Sequence, residues 1–209
     1  MSRDNVPREF PNVRVRLRRV QRSPGLPVRE GTLQIWLKGT RFRVRDEAGR
    51  RLSAILADLS AENGLGAAPR TLEEMMDIQS ESRIPADGVT DLYGDLATDE
   101  GWVCRKAQPA WRTEAAELAP AAAQSLTGEL AGLEPRGHVT RLGRACTEYQ
   151  GALEGGSAVT YIVSPPYLLL SHVHAADDAD HSYTREVVAL EEGAVTDEDL
   201  APPVDPKLQ

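Results

Sequence analysis

Between Glu30 and Asp46 the chain reads Glu-Gly-Thr-Leu-Gln-Ile-Trp-Leu-Lys-Gly-Thr-Arg-Phe-Arg-Val-Arg-Asp. Leu33, Ile35 and Leu37 alternate with Gln34, Trp36 and Lys38; beyond Gly39-Thr40, Phe42 and Val44 alternate with Arg41, Arg43 and Arg45. Side chains along a strand point alternately to opposite faces, so two such runs around a Gly-containing turn predict a hairpin with one apolar and one polar face. The run Val13 to Val20 repeats the pattern, with Val13, Val15 and Leu17 set against Arg14, Arg16 and Arg18. Three consecutive antiparallel strands therefore share a buried side and a strongly cationic side.

The texture changes after Asp46. Glu47 to Arg50 reads as a turn leading into Leu52 to Leu59, a fourth strand or a short helix. Thr71-Leu72-Glu73-Glu74 has capping-box spacing, and Leu72, Met75 and Met76 follow on one helical face, predicting a helix near 71–82. Asp91 to Lys106 suggests two short strands around Gly94 and Gly101. Pro120 suits the first position of a helix, where its missing amide costs nothing, so a second helix is expected over 120–132. Past Pro135 the alternation returns in Val139–Leu142, Ala145–Leu153, Ala158–Ser164, Tyr167–His174 and Ser182–Glu191, and Thr196 to Leu200 reads as a capped turn. Residues 1–12 form a flexible lead, 13–203 a single domain and 204–209 a tail. Strands, helices and strands again specify an α+β fold: a curved antiparallel sheet, an unclosed half-barrel, with two or three helices on its concave face.

Charge is split along the chain. Residues 1 to 51 hold 14 Arg or Lys and 5 Asp or Glu, a balance of +9, against −17 for the remainder and −8 overall. Such a division suits two halves that attract each other or an acidic partner. An aromatic content of 5% and the acidic total argue against nucleic acid, which usually calls for stacking platforms in a basic groove. The polar start lacks the apolar stretch of a signal peptide, and no apolar run approaches the roughly 20 residues of a membrane span. A cytoplasmic protein is expected, with Cys104 and Cys146 reduced.

Several stretches carry a resemblance: Gly31-Thr-Leu-Gln-Ile-Trp-Leu-Lys-Gly39 with Arg41-Phe-Arg-Val-Arg45, Gly143-Arg-Ala-Cys-Thr-Glu-Tyr149, Tyr161-Ile-Val-Ser-Pro165, and Val195-Thr-Asp-Glu-Asp-Leu-Ala-Pro-Pro203. In pattern and order, from about Val13 to Pro203, the chain resembles the bacterial outer-membrane lipoprotein carrier and sorting family. That resemblance implies an unclosed half-barrel lidded by helices, and a protein without catalysis that shelters an acyl chain or another apolar ligand.

No catalytic motif stands out. Gly155-Gly156-Ser157 lacks the Gly-x-Ser-x-Gly pattern of a nucleophile elbow, and Gly64-Leu-Gly66 lacks the Lys-Ser or Lys-Thr of a phosphate loop. His172 and His174 share one side of a strand, and His181 beyond an acidic loop would complete a set suited to zinc, nickel or copper; the competing reading is a solvated hairpin tip. Trp36 falls on the polar face, where stacking by Arg43 or a protein interface would cover it.

The sequence thus predicts a non-enzymatic binding protein that needs no cofactor. Its cavity would be lined by Leu33, Ile35, Leu37, Phe42, Val44, Leu72, Met75 and Met76, and would hold a hydrophobic ligand or an apolar partner segment. The alternative is an adaptor or structural subunit whose partner face is Arg14, Arg16, Arg18, Trp36, Arg41, Arg43 and Arg45, matched to an acidic protein surface or to the chain's own acidic C-terminal half. A metal-dependent enzyme built on His172, His174 and His181 is the third reading.

Overall fold

The computed structural model describes residues 7–25, 28–48, 89–105, 109–127, 130, 132–153, 156–175 and 178–203. The alternating runs become β1 (Phe10–Arg22), β2 (Arg29–Gly39) and β3 (Arg41–Ala48). Next come β4 (Val89–Asp95), β5 (Glu100–Arg105), β6 (Trp111–Glu114) and the helix α1 (Ala115–Ala122), which tightens into a 3-10 turn at Ala123–Ser125. The second half gives β7 (Glu134–Arg141), β8 (Arg144–Ala152), β9 (Ala158–Ser164), β10 (Tyr167–Ala175) and β11 (Asp178–Glu192). All pair antiparallel in one 11-stranded sheet of order β6-β5-β4-β3-β2-β1-β11-β10-β9-β8-β7. β6 and β7 are its edges, so the sheet is unclosed.

Gly39 takes a positive φ of 59° in the two-residue turn that pairs Lys38 with Arg41 and sets the β2–β3 register. That register places Leu37 opposite Phe42 and Ile35 opposite Val44, while β1 sets Val13 opposite Leu37 and Val15 opposite Ile35. One aliphatic surface results, and every one of these side chains is at most 1% exposed. Ala115, Ala119 and Ala122 of α1 pack onto it. Alanines let the helix backbone approach the sheet closely. The helix contacts β2, β3, β4, β5 and β6, and its 3-10 turn contacts β10. Their length is about 18 Å, whereas the six strand spacings between β5 and β10 would cover about 29 Å in a flat sheet. The sheet therefore curls around the helix.

The helical expectations are corrected. One short α-helix, not two or three, lies among the described residues, and the expected cavity helix with Leu72, Met75 and Met76 falls outside them, as do Leu52 to Leu59. The second helix starts at Ala115, not Pro120, and ends at Ala122, short of residue 132. Asp99 decides the start: its carbonyl accepts the Ala115 amide at 3.3 Å and its carboxylate the Ala116 amide at 3.1 Å. Such contacts satisfy two of the orphan amides of a first turn and outweigh the preference of proline for that position. The end is set by Leu126, which leaves the helix to form a bridge with Tyr167. Within the stretch 1–12 read as a lead, β1 begins at Phe10, whose ring meets Phe42 edge to face at 5.8 Å. Among the described residues no helix is long and apolar enough to cross a membrane.

Gly94 is the position where the core tolerates no side chain. A Cβ there would lie 2.2 Å from the Phe42 ring, which is fully buried. We expect Gly94→Ala to cost about 1–3 kcal/mol by overpacking, while Gly137→Ala, with open space around it, leaves stability within about 0.5 kcal/mol. Urea denaturation of the two variants checks both values.

Candidate functional site

The outer, cationic face is neutralised from within the chain. Beyond β11, Asn12 accepts the Val195 amide at 3.0 Å, and Thr196 and Asp199 bind each other's side chain and backbone in a tight capped turn. This anchors the C-terminal segment against the arginines. Arg14 meets Glu191 at 3.5 Å and Asp199 at 3.4 Å, Lys38 meets Asp197 at 3.0 Å, and Arg41 meets the same carboxylate at 3.5 Å. Arg43 and Arg45 share Asp91, and Arg18 pairs with Glu30, while Arg16 stays exposed.

Trp36 lies beneath this layer, 7% exposed, in a small second core with Val195 and Leu200. The Arg43 guanidinium stacks 4.6 Å from its ring centre and 5.1 Å from that of Tyr93. Trp36 is thus covered by Arg43 and by Val195 and Leu200 of the C-terminal segment. The carboxyls respond to these contacts. Asp197 is held below the usual carboxylate range chiefly by its hydrogen bond with Lys38, and Asp199 chiefly by the Thr196 amide.

The inner face is not uniformly apolar. The lower ends of the strands, under α1, carry the apolar rows expected as cavity lining: Leu33, Ile35, Leu37, Phe42 and Val44 are there, packed into the core. Higher up, the register lines up Gly31, Arg19, Arg185, Ser171, Tyr161, Tyr149 and Pro135 as successive cross-strand partners from β2 to β7. Direct partners share a face of the sheet. The next row up is Arg29, Gln21, Tyr183, Val173, Val159 and Gly151. Arg19 is held by both carboxylate oxygens of Asp46, and Arg185 donates to the Gln124 side-chain oxygen at 3.2 Å, which fixes both on the helix side of the sheet. Arg105 of β5, on the same side near the β6 edge, stacks 4.8 Å from Trp111. At the opposite, lower rim, a cleft of about 480 Å³ opens between Pro7, Arg8, Glu9, Thr40, Leu96, Ala116 and Ala119.

The inward arginines were not anticipated from the sequence, although counting on would have found them. Arg19 stands two residues beyond Leu17, Asp46 two beyond Val44 and Arg185 two before Val187, so each inherits the inward parity of an aliphatic residue.

The structure brings His172 and His174 together on one face, ring centres 4.0 Å apart, with His172 Nδ1 2.5 Å from Thr184 Oγ1. Burial, and then the neighbouring His174, pushes His172 below its ordinary pKa. The expected third member is displaced. His174 pairs with Ser182, so the adjacent His181 belongs to the opposite parity of β11. Among the described residues no group of three His, Cys, Asp or Glu is placed to hold a metal ion. Cys104 and Cys146 are free thiols, the former pushed above its usual pKa chiefly by burial.

No family model and no curated protein matches the sequence. Solved structures similar to it include an uncharacterized conserved protein from Thermus thermophilus, 12% identical, with 93% of this chain and 88% of that one covered and a TM-score of 0.48. A LolA superfamily protein from Nitrosomonas europaea is 9% identical, with 93% of each chain covered and a TM-score of 0.36. A domain from Vibrio parahaemolyticus assigned to outer membrane lipoprotein sorting is 8% identical, with 92% and 91% covered and a TM-score of 0.32. Two of these three neighbours bear names from the lipoprotein-sorting family that the sequence resembles.

Two outcomes are expected for the outer face. Arg43→Gln, which removes the stack on Trp36 and one partner of Asp91, lowers stability by about 1–2 kcal/mol, whereas Arg16→Gln at an exposed position changes it by less than about 0.5 kcal/mol; thermal melts separate them. A carboxyl whose folded pKa is lowered gives stability that is fully present above its ordinary value, 3.8 for Asp197 and Asp199. That stability is lost as pH falls through the lowered folded value. The segment 195–200 should therefore stay on Trp36 down to about pH 4 and release below it, read as Trp36 fluorescence in a Trp102→Phe, Trp111→Phe background; release already complete at pH 5 would contradict these pairings.

Proposed function

We propose that the protein is a non-catalytic binding protein that holds a hydrophobic or amphiphilic ligand on the inner face of its half-barrel. The observation that carries this reading is the division of that face. Its lower half is aliphatic and filled by α1, whereas the upper rows present the half-buried Tyr149, Tyr161, Tyr183 and Val173 beside the buried Val159. Ligand sites are mostly apolar concavities with a few placed polar groups, and these rows have that composition. A curved sheet with one inward face is a shape on which an aliphatic chain can lie along the strands without any covalent step.

Hydrophobic occupants distinguish this reading from an adaptor role. The outer arginines, which an adaptor would offer to an acidic partner, already face Glu191, Asp197 and Asp199 of the same chain. The purified protein should enhance the fluorescence of an apolar naphthylamine dye, and a long-chain alcohol should displace the dye. Val173→Asp, which sets a charge among the upper apolar side chains, should weaken dye binding about tenfold with the β-sheet circular dichroism retained. No dye enhancement, together with no co-purified ligand in native mass spectrometry, would remove the proposal.

A further inference from the structure

The upper rows are basic as well as apolar. Arg19 and Arg185 are direct cross-strand partners between β1 and β11, an arrangement that is destabilising for like charges unless something compensates it. Arg19 is compensated by Asp46, whose carboxylate accepts from both of its terminal nitrogens. For Arg185 the partners are neutral: the Gln124 side-chain oxygen at 3.2 Å and the Tyr183 ring at 5.8 Å. Its Nε is buried and makes no hydrogen bond.

A guanidinium has five N–H donors, and a buried donor without an acceptor costs the desolvation of that group. Native proteins leave few such donors, and each one calls for an explanation. Arg14 and Arg105 also have a buried Nε without an acceptor. Arg14 is compensated by Glu191 and Asp199, and Arg105 lies against the Trp111 ring near the β6 edge. The distinction of Arg185 is that it adds a second guanidinium directly across the ladder. Two arginines show what structural satisfaction looks like in this sheet. Arg43 has Trp36, Tyr93, Asp91 and the Asp199 carbonyl, and Arg45 is bound by Asp91 through Nε as well as through Nη2. Among the described residues no Asp or Glu forms an ion pair with Arg185.

From this geometry we infer that Arg185, with Arg19 beside it, receives the anionic headgroup of an amphiphilic ligand, a carboxylate or phosphate borne on an aliphatic chain. The assignment rests on the inner-face reading above and gives it a chemical class. Planar guanidinium forks bind the oxygens of either group in a bidentate manner. Ser171 and Tyr161 continue the same row and add hydroxyls next to the headgroup, while Val159, Val173 and Tyr183 in the row above supply apolar surface. The headgroup offers Arg185 an acidic partner that the described residues do not supply, and so discriminates against neutral chains of the same length.

The test uses the full-length protein with dodecanoate, dodecyl phosphate and dodecanol, titrated below their micellar concentrations by calorimetry. The wild type should bind at least one of the two anions about tenfold or more tightly than the alcohol, the scale of a charge-assisted hydrogen bond; whether carboxylate or phosphate is preferred identifies the headgroup. Arg185→Gln should bring the preferred anion to the affinity of the alcohol and leave the alcohol unchanged. Arg185→Lys keeps the charge without the fork and should fall between the two. Arg18→Gln, the same charge change on the exposed outer face beside Glu30, should alter neither affinity. Equal wild-type affinity for the alcohol and both anions, or an equal loss for anion and alcohol in Arg185→Gln with an unshifted melt, would overturn the headgroup assignment while leaving the inner-face site standing. Binding of none of the three would overturn both. Should Arg185→Gln not fold, the Arg185→Lys series and the anion-to-alcohol ratio of the wild type decide the matter.

Discussion

Strands that carry Val13, Val15 and Leu17 on one side and Arg14, Arg16 and Arg18 on the other impose two demands at once. The aliphatic side must be covered, and the cationic side must be neutralised. β2 and β3 repeat the division, so neither demand can be met by adding a neighbouring strand. Closure into a barrel would bury the first side, but β6 and β7 remain edges. The chain instead uses two short segments from elsewhere. The alanine face of α1 covers the aliphatic side, and residues 195–200 bring acids to the cationic one. Curvature follows from the first arrangement, because a helix and 3-10 turn this short reach from β5 to β10 only if the sheet bends toward them.

Joining the halves is the work of β1 and β11. They pair along almost the whole of β1, from Val13 opposite Glu192 to Arg22 opposite Ser182. The basic beginning and the acidic end of the chain thereby become neighbours, and the charge asymmetry of the sequence resolves largely within the molecule. Glu186 and Glu191 of β11 lie opposite Arg18 and Arg14, and Glu192 turns to Arg144 and the Tyr167 hydroxyl. Exposed pairs of this kind contribute only about 0–1 kcal/mol each. Their importance lies in register: a slip by one residue would set arginines opposite Val187 and Leu190, against the core.

How far the sequence foretold this varies from element to element, for physical reasons. The strands β1 to β3 were legible because one face is buried and the other charged, which gives alternation its full contrast. β6 was not, since Trp111 to Glu114 spans four residues at an edge and has too few inward positions to show a period. α1 was displaced by five residues because proline preference is a local signal, and a tertiary contact with Asp99 overrode it. The acidic C-terminal half could be matched to the arginines in advance, although the capped turn that delivers Asp197 and Asp199 depends on Asn12, a contact made 183 residues away. The inward Arg19 and Arg185 escaped because charged residues at strand ends are ordinarily assigned to solvent, even where parity says otherwise.

Two arginines of the same sheet make the strongest internal comparison. Arg43, on the outer face, is surrounded by an excess of partners, and its neighbours Trp36, Asp91 and Asp199 are each held by further contacts, so it belongs to the scaffold. Arg185, on the inner face, stands beside a second guanidinium with a neutral amide and a ring for company, and its Nε is buried without an acceptor. A position that only had to support the fold would be better filled by an aliphatic residue, as Val187 and Leu17 fill the next pair down the same strands. On the inner-face reading, a cation kept there costs stability that an anionic headgroup would recover. On that reading, the arginine row marks the level at which an aliphatic chain would end and its headgroup begin.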